Sequence, residues 1–278
     1  GIGTTSPSRP LHIETTENEV IRLDNTASGG DCVINYRASY GTDVNWAGGI
    51  KNSDDSFCVS NSTNVGTNDR LVIDSSSRIS LSNNDSGTSN TVFGYQAGNL
   101  IGSGDNYNTF IGHQVADADM TNATNNVGVG YQALTSLTEG DNNTMMGYQA
   151  GQSLLTGDNN VAIGMASMGS ANGSEGRNVA IGYNCLGALN SDGDNYNVAV
   201  GYKAGYGITT GTSSVAIGYE TLNGTTTQVG TVAIGHQALT ALTSGAQNTA
   251  VGYQAGYGNQ TGAGNTFVGY TAGRGSNA

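Results

Sequence analysis

Eleven glycines, Gly94, Gly112, Gly130, Gly147, Gly164, Gly182, Gly201, Gly218, Gly235, Gly252 and Gly269, recur at intervals of 17 to 19 residues. Each closes a variant of one motif, such as N-V-A-I-G-Y at Asn178–Tyr183 or N-T-F-V-G-Y at Asn265–Tyr270. A period of this length constrains the fold more than any other feature of the chain. One unit is too small to bury its own apolar face, whereas stacked units bury all of theirs together. The expected fold is therefore a parallel β-solenoid of eleven coils spanning residues 90–278.

The columns of the aligned repeat have distinct characters. Three residues before the glycine stands Val or Thr in every copy, and one residue before it a large apolar side chain, as in Val179 and Ile181. The two lie on one face of a strand, because side chains alternate with a period of two. Glycines and this alternation exclude a helix. A second, shorter extended stretch is expected after the tyrosine, with turns at the G-D-N, T-G and S-G clusters.

We expect the Val/Ile pair to fill the coil interior. The intervening column then faces the other way, and it too is apolar: Ala162, Ala180, Ala199, Ala216, Ala233 and Ala250, with Val92, Phe110, Met145, Phe267 and Gly128 in other copies. Apolar residues on both faces mean that both are covered. The alanine column is accordingly expected at the interface of a parallel homo-oligomer, taken as a trimer, although the spacing does not set the symmetry number.

Composition agrees with an ordered β-structure. The chain has 44 Gly, 2 Pro and 11% charged residues, against roughly 7% Gly and about 25% charge in an average domain. Val, Ile, Thr and 14 Tyr at regular positions distinguish it from a disordered polar tract. A net charge of −12 with 9 basic residues argues against nucleic-acid binding, which needs clustered cations. No apolar run reaches the roughly 20 residues of a membrane helix. The chain starts with Gly rather than Met, so it reads as a segment of something longer.

Before Asn90 the periodicity is absent. Short alternating runs, L-H-I-E-T, V-I-R-L-D, D-C-V-I-N-Y-R-A, S-F-C-V-S, R-L-V-I-D and R-I-S-L-S, read as strands. They predict a separate β-sandwich-like module over residues 1–89, joined through the polar run Ser82–Ser89.

Little in the sequence calls for catalysis. His113 and His236 stand in the tyrosine column, and His12 lies in an alternating run. Asp105, Asp141, Asp158 and Asp194 recur before Asn in turns, where Asp and Asn accept backbone hydrogen bonds. Their repetition differs from the unique acid pair of a glycosidase, and the turns lack the nine-residue calcium-binding pattern. No catalytic residue, cofactor or metal is assigned. Cys185 sits where other copies have small residues, and a Cys32–Cys58 bridge is left open. The Asn column reads as a hydrogen-bonding ladder. Tyr95, Tyr131, Tyr148, Tyr183, Tyr202, Tyr219, Tyr253 and Tyr270 form an aromatic column, either a structural stack or a stripe that contacts sugars.

The opening G-I-G-T-T-S-P-S with L-H-I-E, I-R-L-D-N-T, G-G-D-C-V-I-N-Y and D-S-F-C-V-S-N-S resemble segments of phage tail-fibre proteins of the marine-phage type. The N-x-A-[IV]-G-Y-x-A copies are similar to repeats in those fibres and to the head repeats of trimeric autotransporter adhesins. The resemblance implies a trimeric structural fibre, carried on a virion tail and outside the cell, that projects a tip binding a host glycan or protein receptor. Its other partners would be further fibre or tail proteins, with no nucleic acid and no membrane insertion. A bacterial surface adhesin or extracellular fibril, and a glycan-degrading tailspike, are the alternatives.

Overall fold

The computed structural model describes residues 32–38, 44–51, 55–60, 69–73, 79–80, 89–224 and 227–275. The chain divides into two compact units, Gly1–Ser82 and Asn83–Ala278. Among the described residues every regular element is a strand.

In the first unit β1 (Cys32–Ala38), β2 (Val44–Lys51), β3 (Ser56–Ser60), β4 (Asp69–Ile73) and β5 (Ile79–Ser80) form one antiparallel sheet in sequence order. The expected strands at L-H-I-E-T and V-I-R-L-D lie outside the described residues. The described strands make a single layer, so the second layer of a sandwich would have to come from elsewhere. Sequence reading missed β2, because its Gly48–Gly49 pair interrupts the alternation. Gly49 has a physical reason: a Cβ there would lie 2.8 Å from the Cα of Val33 on the neighbouring strand, whereas one on Gly48 would meet open space. The cysteines are thiols, and β2 separates Cys32 on β1 from Cys58 on β3. Two strand spacings, about 9.6 Å, exceed the Cα separation a disulfide spans.

The second unit is the expected solenoid. Eleven three-residue strands, β6 (Thr91–Phe93), β7 (Thr109–Ile111), β8 (Val127–Val129), β9 (Thr144–Met146), β10 (Val161–Ile163), β11 (Val179–Ile181), β12 (Val198–Val200), β13 (Val215–Ile217), β14 (Val232–Ile234), β15 (Thr249–Val251) and β16 (Thr266–Val268), stack as one sheet in chain order. Every pair is parallel and in register, so Val179 meets Val198 and Ala180 meets Ala199. Ten steps of about 4.8 Å make the sheet roughly 48 Å long.

The motif glycine turns the chain out of the strand. Its φ lies between 125° and 139° in all eleven copies, a region essentially reserved for glycine. A Cβ on Gly182 would also sit 2.3 Å from the carbonyl oxygen of Gly201 in the next coil. No second strand follows. Instead the residues two and four beyond the glycine adopt left-handed conformations, as at Gln132 (φ 54°) and Leu134 (φ 55°). Each such non-glycine residue costs about 1–2 kcal/mol. At Leu134, Met168, Leu186, Leu222 and Leu239 the side chain is fully buried, which returns about 1.5–3 kcal/mol apiece. Backbone bonds tie coil to coil: Gly130 N donates to Ile111 O (2.9 Å), Gln132 N to His113 O (3.0 Å) and Leu134 N to Ala150 O (3.1 Å).

The two strand faces are the reverse of the sequence expectation. Ala162, Ala180, Ala199, Ala216, Ala233 and Ala250 are fully buried within the single chain, as part of one continuous core. The Val/Thr and Ile/Val columns point outward. The cause is the thinness of the coil, since the residue before the Ile meets the left-handed residue four beyond the glycine across a narrow interior. Where one is large the other is small: Ala162 with Met168, Ala180 with Leu186 and Ala216 with Leu222, but Phe110 with Ala116, Met145 with Gly151 and Phe267 with Gly273. A Cβ on Gly151 would lie 2.8 Å from Met145 Sδ, and one on Gly273 would lie 2.2 Å from a Phe267 ring carbon. Where both are small, as at Ala199 and Gly205, Leu186 of the preceding coil and Ile208 fill the space.

Candidate functional site: the outward strip and its ladders

Because the glycine redirects the chain without breaking coil-to-coil register, three columns line up on the outside of the sheet. In the first, Val or Thr is half-buried in the nine inner coils. The second is part-exposed, with Ile111, Met146, Ile181, Ile217 and Val251 between 36% and 41%. The third is the tyrosine column, with Tyr131, Tyr148, Tyr183, Tyr202, Tyr219 and Tyr253 between 38% and 48% exposed. None of the three columns carries Asp, Glu, Lys or Arg in any coil, in a chain whose net charge is −12. The three columns run side by side for about 48 Å along the stack. A contiguous, largely apolar surface of this kind is often functional.

The site therefore does not include the six alanines assigned to it from sequence. Burial inside one chain leaves them nothing to offer a neighbour. The anticorrelated sizes four and two residues either side of the glycine were the signal that could have placed them.

The tyrosines are both stacked and exposed. Tyr95, His113, Tyr131 and Tyr148 form one run, with centroids 5.1, 5.2 and 5.2 Å apart. Tyr183, Tyr202, Tyr219, His236, Tyr253 and Tyr270 form another, at 4.9 to 5.2 Å. Met165 stands between the two runs. Offset stacking at such distances is favourable, and the solenoid repeat itself supplies it. The carboxylate of Glu220 beside Tyr219 raises the phenol's pKa.

Beside the rings runs a ladder of carboxamides. Gln114 Nε2 donates to Gln96 Oε1 (3.2 Å), Gln132 to Gln114 (3.2 Å) and Gln149 to Gln132 (3.0 Å). Further on, Gln237 donates to Glu220 (3.0 Å) and Gln254 to Gln237 (3.0 Å). A shallow depression of about 280 Å³ lies next to this ladder, lined by Gln132, Thr135, Ser136, Gln152 and Ser153.

Three of the four turn carboxylates are spent on backbone. Asp105 is fully buried and accepts from Gly102 N (2.6 Å) and Ala123 N (2.8 Å). Asp141 accepts from Thr124 N (2.6 Å), and Asp158 from Asp141 N (2.7 Å). Asp194 pairs with Arg177. Among the described residues no three His, Cys, Asp or Glu side chains come together as a metal site would require. No helix there is long and apolar enough to cross a membrane.

Comparison of the chain with protein-family models, with curated proteins and with solved structures finds no match.

Proposed function

We propose that the chain is a structural and adhesive fibre segment, part of a phage tail fibre, in which parallel copies meet through the outward Val/Ile/Tyr strip. The single observation that carries this reading is the strip itself: apolar, uncharged in every coil and continuous along the stack. A parallel in-register sheet presents the same face at every coil, so mating two faces gains contact in proportion to length. The resemblance to trimeric fibres supplies the number three.

The function that follows is mechanical. Coils locked by backbone and side-chain ladders form a stiff shaft, and three chains held together present their receptor-binding ends jointly, which raises avidity without new contacts. The commitment of Asp105, Asp141 and Asp158 to backbone donors and of Asp194 to Arg177 supports a non-catalytic role over that of a glycan-degrading spike.

Electron microscopy of the purified chain tests the proposal. Averaged particles should contain a straight shaft of roughly 50 Å with three-fold symmetry in end view. Single-chain particles at micromolar concentration would falsify it.

A further inference from the structure

The buried asparagine ladder is interrupted in two consecutive coils. In its intact part each carboxamide is fully used. Asn143 Nδ2 donates to Asn126 Oδ1 (3.1 Å) and to Gly157 O (2.7 Å), and Asn143 Oδ1 accepts from Asn160 N (3.0 Å) and Nδ2 (3.1 Å). The ladder runs in this manner to Asn197, whose Nδ2 donates to Gly211 O (2.8 Å) and whose Oδ1 accepts from Ser214 N (3.0 Å). It resumes at Asn248, which donates to Gly245 O (3.0 Å) and Gly262 O (2.7 Å). Between them Ser214 and Thr231 take the asparagine position. The Ser214 hydroxyl donates back to Thr212 O (3.2 Å), and Thr231 N reaches the same hydroxyl at 3.4 Å.

A third residue distinguishes the same place. Seven residues before the motif glycine, six coils have glycine and those of Gly112, Gly130, Gly182 and Gly201 have Asp105, Ala123, Glu175 and Asp194, whereas the coil of Gly235 has Gln228. This is the turn position whose carbonyl receives the ladder carboxamide in intact coils. In this coil the Gln228 carbonyl accepts from Thr212 N instead (3.2 Å). The Gln228 side chain is 3% exposed and Thr231 is fully buried. Neither Gln228 Nε2, Gln228 Oε1 nor Thr231 Oγ1 has a protein partner. Of the five such buried side-chain atoms among the described residues, these three lie on two residues of one turn. The other two belong to the part-exposed Asp117 and Asn223.

Leaving a buried polar group unpaired costs about 1–3 kcal/mol, so three in one turn would be a severe local penalty. Water removes it where a site offers two to four polar partners. We infer that the shaft holds an internal water-binding site here, in which an ordered water bridges the Gln228 carboxamide and the Thr231 hydroxyl and continues the interrupted ladder. The site offers both donors and acceptors and none of its three groups is charged, which fits water and not a metal ion. The ladder is thus sealed by protein amides on either side of one hydrated joint, where backbone opening is easiest.

A high-resolution crystal structure of the full chain tests the inference directly. Density for a water within hydrogen-bond distance of Gln228 and Thr231 is expected. A Gln228 carboxamide turned to bond Thr231 or Ser214 directly, with no water, overturns it. A combined Ser214→Asn, Thr231→Asn, Gln228→Gly variant restores the residues of the intact coils. It should lose the water, raise the melting temperature by several degrees and slow hydrogen exchange of the amides around residue 230. Unchanged exchange in a folded variant would count against the hydrated joint. Should the variant not fold, the wild-type density decides alone.

Discussion

Inside the coil of Gly182, the thiol of Cys185 donates to Gly201 O (2.6 Å) and Ile181 O (3.1 Å), in the column where most copies have alanine. Burial raises its pKa above the ordinary 9.0, because the thiolate would have to form in an apolar interior. A group whose pKa is higher in the folded than in the unfolded chain contributes stability that is complete below the unfolded value and is lost as pH rises through the folded one. Wild-type protein should therefore lose stability above about pH 9, and Cys185→Ala should lose less over the same range. Denaturant midpoints measured from neutral to alkaline pH in reducing buffer check this, and parallel curves for the two proteins would contradict it. The motif glycine is a residue-scale necessity of another kind. Its φ near +130° in all eleven copies, and the carbonyl of the next coil in the first ten, disfavour any side chain there.

Within one coil, the core is a volume rule between two positions six residues apart. Ala216→Met should overpack the coil against Leu222 and cost about 1–3 kcal/mol. Adding Leu222→Gly reproduces the Met145–Gly151 arrangement of another coil and should recover most of that loss. Chemical denaturation of the two single variants and the double variant measures the coupling, and purely additive losses would refute the rule. This pairing also explains what could be read from the sequence. Period, strand positions and the all-β class were legible because glycine spacing and alternation are local signals. The Asn ladder and tyrosine stack were legible because repetition places like above like. Which face was inside was not, because alternation is symmetric: it says that Ala180 opposes Ile181 without saying which is dry. A small side chain looked suited to close chain-to-chain packing, when it was the limit set by a leucine across the coil. Left-handed residues after the glycine, such as Leu134 and Gln132, carry no composition signal for that geometry. β2 was missed for the opposite reason, since Gly48 and Gly49 look like a turn, while Gly49 serves close strand approach.

At the scale of the whole molecule, the solenoid presents one long uncharged face while the rest of its surface carries the acidic balance. Charged side chains stand at its edge, Lys203 over the Tyr202 ring and Glu220 beside Tyr219. The two kinds of substitution on a single strand separate assembly from folding. Ile217→Glu places a carboxylate on the outward strip of a coil whose core is untouched, whereas Ala216→Glu buries one inside the chain. The measurement that bears most directly on the account is the solution mass of the full chain by light scattering, taken together with its circular dichroism. Wild type should have three times the 28.2 kDa of one chain, and Ile217→Glu should retain the β-signal at a lower mass, while Ala216→Glu loses the signal itself. A wild-type mass of one chain, or an Ile217→Glu variant that assembles as wild type does, would contradict the claim that copies meet through this face.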